Sequence, residues 1–140
     1  HPEQGKLTLA DLRERTGSPW FRPEGFFIAS EVEDDSAIAA FTWTKIPTGQ
    51  EQGELSPSGE IYVVGVNPQA QGGGLGRTLT LRALAYLACA EDEKGEPLRA
   101  IDLYVDADND AAYALYTSLG FGVATVDRMY APAQQNEPAA

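Results

Sequence analysis

The chain has 140 residues, 43% hydrophobic and 22% charged, which fits one globular domain and excludes collagen-like, coiled-coil and wholly disordered chains. Ten basic against 21 acidic residues give a formal net charge of -11, which argues against a nucleic-acid backbone or an anionic membrane surface as partner and for a cationic or neutral ligand. A single cysteine, Cys89, excludes an internal disulfide and points to a reducing, cytoplasmic setting, and no apolar run reaches membrane-spanning length.

The chain opens on His1-Pro2 and not on methionine, without a signal-peptide pattern, so a processing boundary within a longer parent chain is expected. Thr8 and Asp11 have the spacing of a capping box, which predicts a short helix with Leu9 and Leu12 on one face, closed by Gly17 and Pro19. Irregular chain is expected over 20–25. Strands are predicted over 26–32 and 37–46, with a charged hairpin turn at 33–36. In the second strand Ile38, Ala40, Thr42 and Thr44 alternate with Ala39, Phe41, Trp43 and Lys45. Residues 47–59 are Pro, Gly, Gln, Glu and Ser in the main, the composition of a loop or lid.

A buried strand follows over 60–66, ended by Asn67-Pro68. Four glycines among five residues, Gly72, Gly73, Gly74 and Gly76, then lead into a helix to about residue 90, with Leu75, Leu79, Ala83, Tyr86, Leu87 and Ala90 at helical spacing. After a polar connection at 91–99, a strand is predicted over 100–106. Asn109 caps a helix with Ala112, Leu115, Tyr116 and Leu119 on one face, which Gly120 stops. A last strand or hairpin is expected over 121–130, and a disordered tail over 131–140. The order predicts an α/β (α+β) domain over 1–130, a mixed sheet with helices on its faces.

A strand, a glycine-rich turn and a helix together form an anion-holding device. Glycines let successive N–H groups face one concavity, and the helix N-terminus adds partial positive charge, so phosphate can bind despite the acidic composition. The alternative is a glycine turn without a ligand. A nucleoside-triphosphate loop requires Lys then Ser or Thr after its last glycine, and Arg77-Thr78 stands there instead. A dinucleotide fold places its glycine turn after the first strand, whereas two strand-like runs precede this one.

Gln71-x-x-Gly74-x-Gly76 after a Val-Gly-Val strand, with Asn109 opening a helix that ends in Leu115-Tyr116-x-x-Leu119-Gly120-Phe121, resembles the GNAT-type N-acetyltransferases. The segments His1-Pro2-Glu3-Gln4-Gly5, Pro19-Trp20-Phe21, Thr42-Trp43-Thr44-Lys45, 60–66 and 103–109 are similar, more closely, to the mycothiol synthase family within that group. This resemblance implies a mostly antiparallel GNAT-like sheet, equivalent to the active C-terminal half of a two-domain actinobacterial enzyme and lacking that half's first strand and helix. The implied partners are the N-terminal GNAT-like half and a small amine, in a monomeric protein, without metal. The implied reaction moves acetyl from acetyl-CoA to the cysteine amine of cysteinyl-glucosaminyl-inositol.

The resemblance also implies roles for residues. Acetyl-CoA lies along Val64, Gly65 and Val66; its pyrophosphate sits on the amides of Gln71, Gly72, Gly73, Gly74, Leu75, Gly76 and Arg77; its pantetheine arm meets Asn109, Asp110, Ala111, Ala112, Tyr113 and Ala114. Glu60 is the base, acting through a water, and Tyr116 protonates the departing thiolate. Glu3, Lys45, Glu60 and Tyr104 hold the acceptor, and the Val66 N–H meets the developing oxyanion. An amine of pKa about 8 is mostly protonated at neutral pH, so the chemistry does require a base. Cys89 reads as packing, and Asp106, Asp108 and Asp110 as capping, because the glycine and distal glutamate of a calcium loop are absent. Two alternatives stay open at this level: acetylation of another amine, such as a protein N-terminus, and an acetyl-CoA-binding module without turnover.

Overall fold

The structure, a computed structural model, describes residues 8–49 and 57–123. Glu3, residues 50–56 of the polar loop, the 124–130 part of the expected last strand and the 131–140 tail lie outside the described residues; residues 121–123 form no strand. The elements are α1 (Leu9–Thr16), β1 (Phe26–Glu31), β2 (Asp34–Lys45), β3 (Ser58–Val66), α2 (Leu75–Cys89), β4 (Ala100–Leu103) and α3 (Asp110–Ser118). Among the described residues no helix is long and apolar enough to cross a membrane.

Local signals set most boundaries. The Thr8 side chain accepts from the Asp11 N–H at 3.1 Å while the Thr8 N–H donates to the Asp11 carboxylate at 3.0 Å, the reciprocal pair that opens α1. Of its two leucines only Leu12 packs inward; Leu9 is exposed. The hairpin turn is shorter than expected, two residues at Val32 and Glu33, because Glu31 pairs with Asp34 and the charged start of β2 belongs to the ladder. Charge is tolerated there because the hairpin tip faces water.

The sheet order is β1-β2-β3-β4, antiparallel across the first three strands and parallel between β3 and β4. On one face α2 covers the sheet, with Ile46, Ile61, Ala83 and Leu87 fully buried and Val64, Leu98, Ile101 and Phe121 packed around them. Gly59 is what lets Leu87 and Leu98 lie down on β3: a Cβ there would come within 2.9 Å of Leu87 Cδ2 and 2.8 Å of Leu98 Cδ1. On the other face Trp20, Trp43 and Val63 form an aromatic core with Leu12, Phe21, Phe26, Phe41 and Tyr62. Trp43 is wholly buried, with ring centroids of Trp20, Phe21, Phe26 and Tyr62 between 5.2 and 5.9 Å away. Its Nε1 has no hydrogen-bond partner among the described residues, a cost of about 1–3 kcal/mol that burial of the ring outweighs.

Leu87→Ala removes the centre of the α2-facing core, and the expected cost is about 2–5 kcal/mol, read as a lowered urea midpoint with an unchanged slope.

Candidate functional site

Two features of β3 define the site. The first is a row of side chains across the sheet. Lys45, the last residue of β2, stands opposite Glu60 on β3, and Glu60 stands opposite Asp102 on β4. The register of β2 on β3 slips between Trp43–Val63 and Thr44–Ile61, a bulge that gives β3 one extra residue at Tyr62. Tyr62 and Val63 therefore both pack into the aromatic core, while Ile61 packs under α2.

The row is half-buried and electrostatically mixed. The Lys45 ammonium lies over the rings of Trp20 at 4.9 Å and Tyr62 at 5.6 Å, and Arg15 of α1 donates to the Tyr62 hydroxyl at 2.8 Å. Burial, helped by the nearby Asp102 carboxylate and opposed by Lys45, pushes the Glu60 carboxyl up to about 7. Burial also raises Asp102 above the usual carboxylate range. A carboxyl poised near neutrality beside a flat aromatic and cationic wall is suited to exchanging protons at physiological pH.

The second feature is an opening. The parallel ladder runs only from Ser58–Ala100 to Ile61–Leu103, after which β4 ends while β3 continues to Val66. The strand expected over 100–106 is cut short because β3 is no longer beside it. Asn67 N–H donates to the Ala39 carbonyl at 2.8 Å, which fixes the phase of the β2–β3 ladder and turns the N–H and C=O groups of Val64 and Val66 toward the side that β4 has left. Gly65 leaves room for the Phe41 ring, which a Cβ there would strike at 2.5 Å.

Beyond β3, Pro68–Ala70 forms one 3-10 turn, and Gly72 and Gly74 take φ of 89° and 81° before α2 begins. Those left-handed angles suit glycine, and they leave residues 71–74 exposed with the first N–H groups of α2 facing outward. At Gly76 a Cβ would touch Val66 Cγ2 at 3.7 Å and Leu115 Cδ2 at 3.9 Å, so the end of β3, the start of α2 and α3 meet at one point. Arg77 donates to Ser118 Oγ at 3.2 Å, tying the first turn of α2 to the last of α3. Asn109 caps α3 by accepting from the Ala112 N–H at 3.2 Å, and Asp110, Ala111, Tyr113 and Ala114 are exposed along it.

The structure thus brings Lys45 and Glu60 together at the start of β3, and Val64, Val66, the 71–77 turn and α3 together at its other end. Tyr116 is partly buried against Phe121, its ring centroid 6.0 Å away, and burial raises its phenol. Tyr104 follows β4 and is exposed. Cys89, expected to pack, is exposed at the end of α2, because the helix turns its last residues to solvent. Sequence reasoning missed Asp102, Tyr62 and Arg15. The signal for Asp102 was the Ile101-Asp102-Leu103 alternation, which sends a carboxyl to the face opposite α2.

The family model described as Acetyltransferase (GNAT) matches residues 3–121. A mycothiol acetyltransferase of Rothia mucilaginosa is 96% identical over 140 residues, 100% of this chain and 40% of the relative. A mycothiol acetyltransferase of Kocuria rhizophila is 49% identical over 130 residues, 93% of this chain and 40% of the relative. The chain thus spans about 40% of the length of these curated relatives. Among solved structures, aminoglycoside N-acetyltransferase AAC(6')-Iy in complex with CoA superposes with a TM-score of 0.62 at 17% identity, covering 89% of this chain and 85% of that one. Naa20 of Chaetomium thermophilum, in complex with a bisubstrate analogue, gives 0.60 at 24% identity over 84% of this chain and 58% of that one. These two likenesses are of fold.

The folded protein holds the Glu60 proton more tightly than the unfolded chain, from 4.5 up to about 7. Its contribution to stability is therefore complete below about pH 4.5 and is lost as pH rises through 7. Glu60→Gln is expected to melt higher than the parent at pH 8, by about 1–3 kcal/mol, and equally at pH 4, checked by thermal melts at both values.

Proposed function

The chain belongs to the acetyltransferase (GNAT) family, and from that premise we propose that it is the acetyltransferase domain of a mycothiol acetyltransferase. In this reading it moves acetyl from acetyl-CoA to the cysteine amine of cysteinyl-glucosaminyl-inositol. The observation that carries the reading is the double character of β3, which presents a poised carboxyl at its start and, at its end, a backbone edge without a ladder partner among the described residues that leads into a glycine turn. The name shared by relatives 96% and 49% identical to this chain supports the choice of acceptor.

The residues present fit the cosubstrate. The outward N–H groups of Gln71 to Arg77 and the positive end of α2 receive the pyrophosphate. The Val64–Val66 edge pairs with the amides of the pantetheine arm as a missing strand would, and Asn109 to Ala114 flank it. On the acceptor side Lys45, Tyr104 and Glu3 hold the sugar and inositol hydroxyls and the ammonium group.

Glu60 takes a proton from the acceptor ammonium through a water, and the nitrogen lone pair then bonds to the acetyl carbon. The carbon–sulfur bond breaks with its electron pair going to sulfur, the Tyr116 phenol protonates the thiolate, and the second proton shed by the new amide nitrogen restores the phenol. A backbone N–H of β3 receives the developing oxyanion. Val64 suits this better than Val66, being two residues nearer to Glu60 along the strand and so nearer to a water held by its carboxyl. The remaining part of a longer parent, a second GNAT-like half, is the proposed partner of this domain.

Mass spectrometry of a mixture with acetyl-CoA and cysteinyl-glucosaminyl-inositol is expected to show acetylated product, with the full-length Rothia relative run beside this chain. No product from either protein would overturn the acceptor assignment. Glu60→Gln and Tyr116→Phe are each expected to lower kcat by about 100-fold or more with CoA affinity changed by less than about threefold, measured by steady-state kinetics and calorimetry. Gly74→Ala, which forces a side chain into φ 81°, is expected to weaken CoA about tenfold and to leave the Glu60 titration alone.

A further inference from the structure

Asp102 belongs to no motif, yet it occupies the one position of β4 in direct register with Glu60. Its neighbours Ile101 and Leu103 pack under α2, while its own carboxyl is half-buried on the opposite face and receives no hydrogen bond among the described residues. A half-buried carboxylate without a donor among the described residues costs stability, and the pairing of Asp102 with Glu60 offers an account of it.

The groups that face Glu60 supply one. From β2 comes the Lys45 ammonium; from β4 comes Asp102; on its own strand stands the Tyr62 phenol, held by Arg15 of α1. Burial favours the protonated form of Glu60, and Lys45 works against it by holding the carboxylate. A second carboxylate across the ladder opposes that pull and adds a second negative group where a cationic acceptor arrives.

We propose that Asp102 is a positioning residue for acetyl transfer, its carboxylate offsetting Lys45 so that Glu60 stays a competent proton acceptor for an ammonium substrate. The inference rests on the reading of Glu60 as the base given above.

The test pairs two readouts on Asp102→Asn, with Asp102→Ser as a second neutral variant should the first not fold and Asp102→Glu as the charge-retaining control. Carbon-13 NMR of the glutamate carboxyl carbons follows Glu60 directly, and the acid limb of the kcat/KM profile for the acceptor follows catalysis. Both midpoints are expected to fall by about one pH unit in the neutral variants and to stay near the parent value in Asp102→Glu, with CoA affinity unchanged. An unmoved Glu60 carboxyl midpoint overturns the role of Asp102 while leaving Glu60 as base. A carboxyl midpoint that moves while the acid limb does not overturns the premise that Glu60 is the base, and the proposal with it.

Discussion

Everything at the site depends on where β3 and β4 part. A parallel pair that ran the whole length of β3 would satisfy every backbone group of that strand and leave nothing for a ligand. Here four residue pairs hold the two strands together, and the ladder then stops at Ile61 and Leu103. The backbone beyond that point, without a ladder partner among the described residues, would be a liability in a sheet edge facing water. Here it lies near α3 and the start of α2, with the donors and acceptors of Val64 and Val66 already in line. The three elements meet at Gly76, and the Arg77–Ser118 bond ties α2 to α3.

The acidic composition and a polyanionic cosubstrate are compatible because the two kinds of charge are segregated. In the proposed reading the glycine turn works through backbone dipoles, which carry no net charge. Glu60 and Asp102 sit at the other end of β3, where that reading brings an ammonium. Lys45 lies among them, but over two aromatic rings, which spread the local field of its charge.

What could be read from the sequence follows from how local each signal is. The capping box of Thr8 and Asp11, the Asn109 cap, the glycine turn and the helix of α2 are all fixed by residues within a few positions of one another, and each stands where the sequence put it. The alternation along β2 was also legible, since it needs no knowledge of the partner strand, but not that Phe41 and Trp43 are the pair that enters the aromatic core. Register was not legible. Nothing in the order of residues says that Asp102 faces Glu60, or that a bulge at Tyr62 puts two successive side chains on one face. Nor could the early end of β4 be foreseen, because Val105 continues the strand pattern and only the divergence of β3 removes its partner.

The aromatic core on the face of the sheet opposite α2 contains both tryptophans of the chain, their ring centroids 5.5 Å apart, with the Lys45 ammonium against Trp20. The 71–77 turn and α3 contain none. Intrinsic tryptophan fluorescence of this protein is consequently a one-sided signal: it reports the packing and charge of the core beneath Lys45 and carries no reporter on the glycine turn.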